Sequence, residues 1–244
     1  MQNLYQEGKG GYETSMSRDI VLSNGRTLES SGLKAKKSIQ DVLQGKGFKA
    51  FEKVDKVILI LLDSSGSMSG MVETVPKNTV AWKALQQELT PNLSGWNHGL
   101  ISFGRSVGFL IPPTTDTSAL VSCDKPHASG GTPMLRALTI AWDWIGAHAN
   151  QARLVLLSDG CPTDASTESI LSFAKDHASI PIDTVGIGSV DSYSYDEAFL
   201  KELSRITGGM FCRAHSIKML ATTIRELSPA QRPLLGAPNV KTEE

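Results

Sequence analysis

Short apolar runs alternate with longer amphipathic stretches from residue 57 onward. Aliphatic runs that lack polar alternation are typical of strands buried on both faces of a sheet. Stretches with apolar residues three and four positions apart are typical of helices that cover such a sheet. The pattern predicts strands at 57–62, 98–103, 107–111, 153–158, 182–188 and 209–213. It predicts helices at 79–89, 134–149, 168–178, 196–207 and 216–227.

The order of these elements predicts the sheet topology. Only Gly104, Arg105 and Ser106 separate the second strand from the third, which is too short for a crossover helix. These two strands should therefore form an antiparallel hairpin. The other strands are each followed by a helix, which favours parallel pairing. We expect an α/β fold with a doubly wound, mostly parallel six-stranded sheet and one antiparallel edge strand.

The two ends of the chain differ from its middle. Residues 1–56 contain few strong apolar runs and ten Lys and Arg against seven Asp and Glu. A packed or partly disordered extension is favoured there over a basic docking arm, with a strand at 19–23 and a helix near 35–44. The expected organisation is an N-terminal extension at 1–56, a main domain at 57–230 and a C-terminal tail at 231–244.

Composition limits the partners and the compartment. The formal net charge of the 244 residues is -1, which gives no reason to expect nucleic acid or an anionic membrane as a partner. The longest aliphatic run, residues 57–62, is far shorter than a membrane span. Three widely spaced cysteines suggest neither a disulfide framework nor a zinc site. Because no secretory leader is recognised either, we expect a cytoplasmic protein.

Carboxylates and hydroxyls follow the ends of predicted strands. Asp63 ends the first apolar run and is followed at alternate positions by Ser65 and Ser67, while Asp159 follows the fourth strand. A third loop, SGGTPM, offers Thr132. Ligands of doubly wound sheets bind at the carboxyl ends of the strands, so these side chains should meet there. Such oxygen donors suit Mg²⁺, with Mn²⁺ or Ca²⁺ as substitutes, and a dication would relieve the repulsion between the two aspartates.

Together, DSSGS at 63–67, Thr132 in SGGTPM and Asp159 in LLSDGCPTD resemble the metal-ion-dependent adhesion site of von Willebrand factor A (VWA) domains. The resemblance covers roughly residues 57–227. It implies that Ser65 and Ser67 ligate the metal directly, and that Asp63 and Asp159 act mainly through bound water. It also implies that Thr132 joins when a ligand is engaged. The usual ligand of the family supplies a carboxylate to the open coordination position.

The chain departs from the familiar extracellular members of the family in that no signal peptide and no disulfide pattern are recognised, and this points to the intracellular prokaryotic branch. Members of that branch often act beside AAA+ ATPases or beside kinases and phosphatases, so the resemblance implies a non-enzymatic adaptor that captures an acidic residue of a partner protein. The alternative is a Mg²⁺-dependent phosphotransferase or hydrolase that uses Asp63. Haloacid-dehalogenase-like phosphotransferases would have a second acid two residues later, where this chain has Ser65. A serine hydrolase elbow is disfavoured because Met68 stands at the centre of GSMSG.

Overall fold

The computed structural model describes residues 20–21, 27–28, 53–93, 95–188 and 196–228. The chain divides into two compact units, Met1–Ala50 and Phe51–Glu244. In the first unit, strands β1 (Ile20–Val21) and β2 (Thr27–Leu28) pair antiparallel. The predicted helix near 35–44 and the predicted tail at 231–244 lie outside the described residues, and the domain boundaries stay a prediction.

The second unit contains a six-stranded sheet flanked by helices. Its described strands are β3 (Val54–Asp63), β4 (Met71–Val72), β5 (Val75–Pro76), β6 (Asn97–Phe103), β7 (Val107–Thr114), β8 (Ala149–Ser158), β9 (Ile182–Ile187) and β10 (Phe211–Ala214). The main sheet has the order β10-β9-β8-β3-β6-β7, and β4 and β5 form a separate small hairpin. Strand β7 pairs antiparallel with β6 at one edge, whereas the other pairings in the main sheet are parallel. The predicted fold class is confirmed.

The described α-helices are α1 (Lys77–Ala84), α2 (Ser118–Ser122), α3 (Met134–His148), α4 (Thr167–Asp176), α5 (Glu197–Ile206) and α6 (Ile217–Glu226). The helix predicted at 79–89 is split, because α1 ends at Ala84 and a π-helical turn continues from Leu85 to Leu89. Among the described residues, no helix has the length and apolar character needed to cross a membrane.

Strand β3 is buried on both faces because its side chains alternate between two hydrophobic clusters. Ile58, Ile60 and Leu62 pack into the cluster that contains Leu85 of the π-helical turn and Leu220 of α6. The opposite face packs into the cluster of α3, α4 and α5, through Val57, Leu59 and Leu61. A strand covered in this way has a fixed position, so its carboxyl end holds Asp63 in a defined place.

The last strand begins later than predicted. The apolar run suggested 209–213, but β10 spans Phe211–Ala214. Gly208 has a φ of +72°, and a Cβ on Gly209 would lie 1.8 Å from the carbonyl oxygen of Ile182. Both glycines therefore belong to the turn that returns the chain closely against β9, and the strand starts only after that turn.

Candidate functional site

Two adjacent parallel strands bring the predicted carboxylates to one edge of the sheet. Asp63 is the last residue of β3, and Asp159 follows directly after β8. The strands pair in register, with Leu62 opposite Leu157. The sequence order separates the two aspartates by almost a hundred residues, but the pairing of β3 with β8 makes them neighbours.

Backbone hydrogen bonds hold the loop after β3 against two other segments. The amide of Ser64 donates to the carbonyl of Phe103 at 2.7 Å. The amide of Gly66 donates to the carbonyl of Gly130 at 2.9 Å, and the amide of Ser129 donates to the carbonyl of Ser64 at 2.8 Å. The serine-rich loop and the loop that contains Thr132 are thus fixed to each other.

The carboxylates and hydroxyls form one hydrogen-bonded group. Asp63 accepts from the Ser65 amide through Oδ1 at 2.8 Å and from the Ser158 hydroxyl through Oδ2 at 2.6 Å. The hydroxyl of Ser67 donates to Oδ1 of Asp159 at 2.8 Å and lies 2.9 Å from the hydroxyl of Ser65. Four of the five predicted site residues are therefore linked through this group of contacts.

Thr132 completes the group from the third loop. Its amide donates to Oγ1 of Thr163 at 2.8 Å, and the Thr163 amide donates back to the Thr132 carbonyl at 2.9 Å. A Cβ built on Gly160 would lie 3.1 Å from Oγ1 of Thr132, 3.5 Å from Oγ of Ser67 and 3.9 Å from Oδ2 of Asp63. Oxygen atoms from separate segments therefore surround the space beside this glycine. The structure brings all five residues together, while their role as metal ligands stays a prediction.

The two aspartates are held in an environment that opposes a second negative charge. Both side chains have 0% exposure. The pKa of Asp63 is raised from 3.8 to about 6, mainly because the carboxyl is buried and to a smaller extent because of the negative charge of Asp159, while the hydrogen bonds from Ser158 and Ser65 act in the opposite direction. A cation at this site would stabilise the ionised form of Asp63.

Lys77 also belongs to the site, and the sequence analysis missed it. This residue begins α1, and its Nζ lies 2.6 Å from Oδ2 of Asp159. The side chains are 8% and 0% exposed, so the ion pair is buried. Neither the spacing from Asp63 nor a recognisable motif marks this lysine, because its contact depends on how the chain returns after the β4–β5 hairpin.

The donor set fits a hard divalent cation. Carboxylate and hydroxyl oxygens are the ligands that Mg²⁺ prefers, and the space beside Gly160 is bounded by such oxygens. Within the described part of the chain, no three His, Cys, Asp or Glu side chains group together as a metal cluster. A metal at this edge would depend on the hydroxyls of Ser65, Ser67 and Thr132 in addition to the two carboxylates.

A cavity of about 410 Å³ opens next to the site. It reaches the serine-rich loop through Ser64, whose hydroxyl lies 2.8 Å from that of Ser102. The exposed side chains of Arg105 and His127 also line it. The cavity leaves room beside Ser64 of the serine-rich loop for a group from another molecule, and its lining includes a cationic guanidinium.

Comparisons with known proteins agree with the fold described above. Residues 58–162 match the family model described as von Willebrand factor type A domain. An uncharacterized protein of Borreliella burgdorferi is 26% identical, over 63% of this chain and 52% of that protein. This chain therefore spans about half the length of that curated relative.

Two solved structures show the same fold. The conserved hypothetical protein BatB from Bacteroides thetaiotaomicron has a TM-score of 0.55 and 18% identity, and the match covers 70% of this chain and 96% of that one. The SpRpn10 VWA domain has a TM-score of 0.57 and 15% identity, over 75% of this chain and 100% of that one. At these identities the likeness concerns the fold alone.

Proposed function

Because the chain contains a von Willebrand factor type A domain, we propose that it is a metal-dependent protein-binding module with a complete metal-ion-dependent adhesion site. Asp63, Ser65, Ser67, Thr132 and Asp159 hold Mg²⁺, for which Mn²⁺ or Ca²⁺ can substitute. The metal supplies a Lewis-acidic coordination position to a carboxylate of a partner protein. Domains of this family generally bind proteins and are typically not enzymes.

One observation supports the proposal above the others. A Cβ built on Gly160 would lie 3.1 to 3.9 Å from oxygens of Thr132, Ser67 and Asp63. Buried Asp159 accepts a hydrogen bond from Ser67. Hard donors from two loops thus face one small space, and a third loop is bonded to them through Asp159, which simple capping of a strand end does not require.

The contacts of Asp63 weigh against the phosphotransferase or hydrolase alternative. Both oxygens of this carboxylate accept hydrogen bonds, from Ser65 and Ser158, and the side chain has 0% exposure. A nucleophilic carboxylate must reach the reacting atom directly. The arrangement suits a carboxylate that orients water and hydroxyl ligands.

The proposed partner presents an acidic residue and enters from the side of the 410 Å³ cavity, where Arg105 is exposed. We extend the proposal to the intracellular prokaryotic type of the domain, acting in the cytoplasm. There it would connect the partner to an AAA+ ATPase or to a kinase and phosphatase system. Neither nucleic acid nor a membrane is a proposed partner, in keeping with the net charge of -1.

The metal is tested by the double substitution Asp63→Ala and Ser65→Ala. Isothermal titration calorimetry should show Mg²⁺ binding to the wild type, and about 10 mM Mg²⁺ should raise its Tm because a ligand of the native state stabilises it. The double variant should lose both effects. Asp143→Ala, at an exposed position on α3, is the control and should retain both. Absence of heat and of a Tm shift in the wild type would refute the metal proposal.

Binding and catalysis are separated by two further measurements. Proteins retained by the wild type in Mg²⁺, but not in EDTA or by the double variant, should be identified by mass spectrometry and then rebound as purified proteins. Hydrolysis of p-nitrophenyl phosphate should stay at the uncatalysed rate with the wild type. Turnover of that ester by the wild type, abolished in the double variant, would instead establish the enzyme alternative.

A further inference from the structure

Lys77 places a positive charge inside the candidate metal site. Its Nζ lies 2.6 Å from Oδ2 of Asp159, while Oδ1 of the same carboxylate accepts from Ser67. The lysine side chain is 8% exposed and the aspartate side chain 0% exposed. Since solvent screens a buried pair far less than a surface pair, this lysine strongly affects the electrostatics of the site.

The fold holds the lysine in this position. The backbone amide of Lys77 donates to the carbonyl of Gly70 at 2.8 Å. A Cβ built on Gly70 would lie 3.7 Å from Cε and 3.8 Å from Nζ of Lys77, so the side chain passes directly along this glycine. The contact with Asp159 is therefore supported by the β4–β5 hairpin, which lies between Gly70 and the start of α1.

The charges determine what this lysine does to a metal. Ionised Asp63 and Asp159 together balance a dication, and Lys77 cancels one of the two negative charges. A loaded site without the lysine would be neutral, whereas the loaded site with the lysine keeps one positive charge. An anion supplied from outside would neutralise that remaining charge.

On this basis, and resting on the proposed function, we propose that Lys77 weakens binding of Mg²⁺ alone and makes an external carboxylate the group that completes the charge balance. Lys77 is then a residue that couples metal binding to partner binding. Its ion pair is with Asp159, so it would act on the metal through that carboxylate. Its effect should appear in the metal affinity and in the response of that affinity to a carboxylate.

The direct test is calorimetric titration with MgCl2 of the full chain and its variants. Lys77→Met removes the charge, and Lys77→Gln removes it while keeping a hydrogen-bond donor for Asp159. Both should bind Mg²⁺ about tenfold more tightly or better, since a like charge near the metal is lost. Lys77→Arg retains the charge and should stay close to the wild type. Lys83→Met, at an exposed position of the same helix, should leave the affinity unchanged.

Acetate serves as the probe carboxylate in a second measurement. It should tighten Mg²⁺ binding by the wild type and by Lys77→Arg, and it should do so less for the two neutral variants.

Thermal unfolding in EDTA provides a third measurement. Lys77→Met should lower the Tm because Asp159 loses its buried partner, and added Mg²⁺ should raise that Tm more than it raises that of the wild type.

The outcomes separate this inference from the proposed function. If the wild type binds Mg²⁺ and both neutral variants bind it equally or more weakly, then Lys77 only orients Asp159, the inference is refuted and the proposed function stands. If neither the wild type nor any Lys77 variant binds Mg²⁺, the proposed function fails and this inference fails with it. The Lys77→Gln variant keeps the test decisive if Lys77→Met does not fold.

Discussion

Two buried ion pairs in the second unit have different surroundings. Lys77 and Asp159 meet at 2.6 Å just beyond the carboxyl end of β8, among serine hydroxyls. Arg153 and Asp183 meet at 3.6 Å within β8 and β9, with side chains 2% and 0% exposed. Asp183 also accepts from the amide of Met210 at 2.8 Å, which ties β9 to the turn before β10.

The difference shows what distinguishes a site from a structural contact. Both pairs are buried, so burial of an ion pair does not by itself mark a functional site. The Arg153–Asp183 pair joins neighbouring strands and a backbone amide, an arrangement that fixes strand positions. The Lys77–Asp159 pair lies where separate loops converge, and Ser67 of the serine-rich loop bonds to the same aspartate. The feature that indicates function is the convergence of polar side chains from several loops at the carboxyl ends of the strands.

The largest effect is expected at the structural pair. Asp183→Ala leaves the Arg153 guanidinium without this carboxylate and should lower the free energy of unfolding by about 3 to 5 kcal/mol, as measured by chemical denaturation. Mg²⁺ binding by the remaining folded protein should be unchanged. Asp143→Ala, at an exposed position, is the control and should stay within about 0.5 kcal/mol of the wild type. A small loss for Asp183→Ala, below about 1 kcal/mol, would contradict the structural role.

A smaller and pH-dependent effect is expected at Asp63. The pKa of Asp63 is raised from 3.8 in the unfolded chain to about 6 in the folded one. The native state therefore binds this proton more tightly. Protonation of Asp63 therefore adds to the free energy of unfolding below pH 4, and this contribution is lost as the pH rises to about 6. In EDTA the loss should be at most ~3 kcal/mol.

The pH effect is measured by denaturation of the wild type and of Asp63→Asn across that range. In the variant, the free energy of unfolding should change less with pH, because residue 63 no longer titrates. In the wild type, Mg²⁺ should recover stability above pH 6, because it binds the ionised carboxylate. Identical pH slopes for the two proteins would show that Asp63 does not titrate in this way.

The smallest effect is expected at Gly160. Its added Cβ would lie 3.1 Å from Oγ1 of Thr132, so Gly160→Ala narrows the space between the hydroxyls. We expect Mg²⁺ affinity to fall about tenfold, which corresponds to ~1.4 kcal/mol in a calorimetric titration. Gly146→Ala on α3 meets no atom within 4 Å and is the control. It should leave the affinity unchanged and stabilise the fold by about 0.5 to 1 kcal/mol. Equal affinities for Gly160→Ala and the wild type would place the metal elsewhere.

Most of the sheet could be predicted because its strands are continuous apolar runs. Val57 to Leu62 alternate between two covered faces, and a run of this kind has few other stable placements. The short elements were missed for the opposite reason. Strands β4 and β5 have two residues each, and Glu73 between them has a φ of +55°, which no hydrophobic pattern encodes.

The sequence by itself determined the sheet and the three loops that contain Asp63, Thr132 and Asp159, because apolar periodicity fixes strands and the ends of parallel strands share one edge. Only the tertiary structure decided that Lys77 is paired with Asp159, a contact between residues 82 positions apart. It also decided that Gly160 lies against oxygens of Thr132, Ser67 and Asp63, where a Cβ would be crowded. Both depend on the path of loops and short elements, which is set by packing and hydrogen bonds between distant segments.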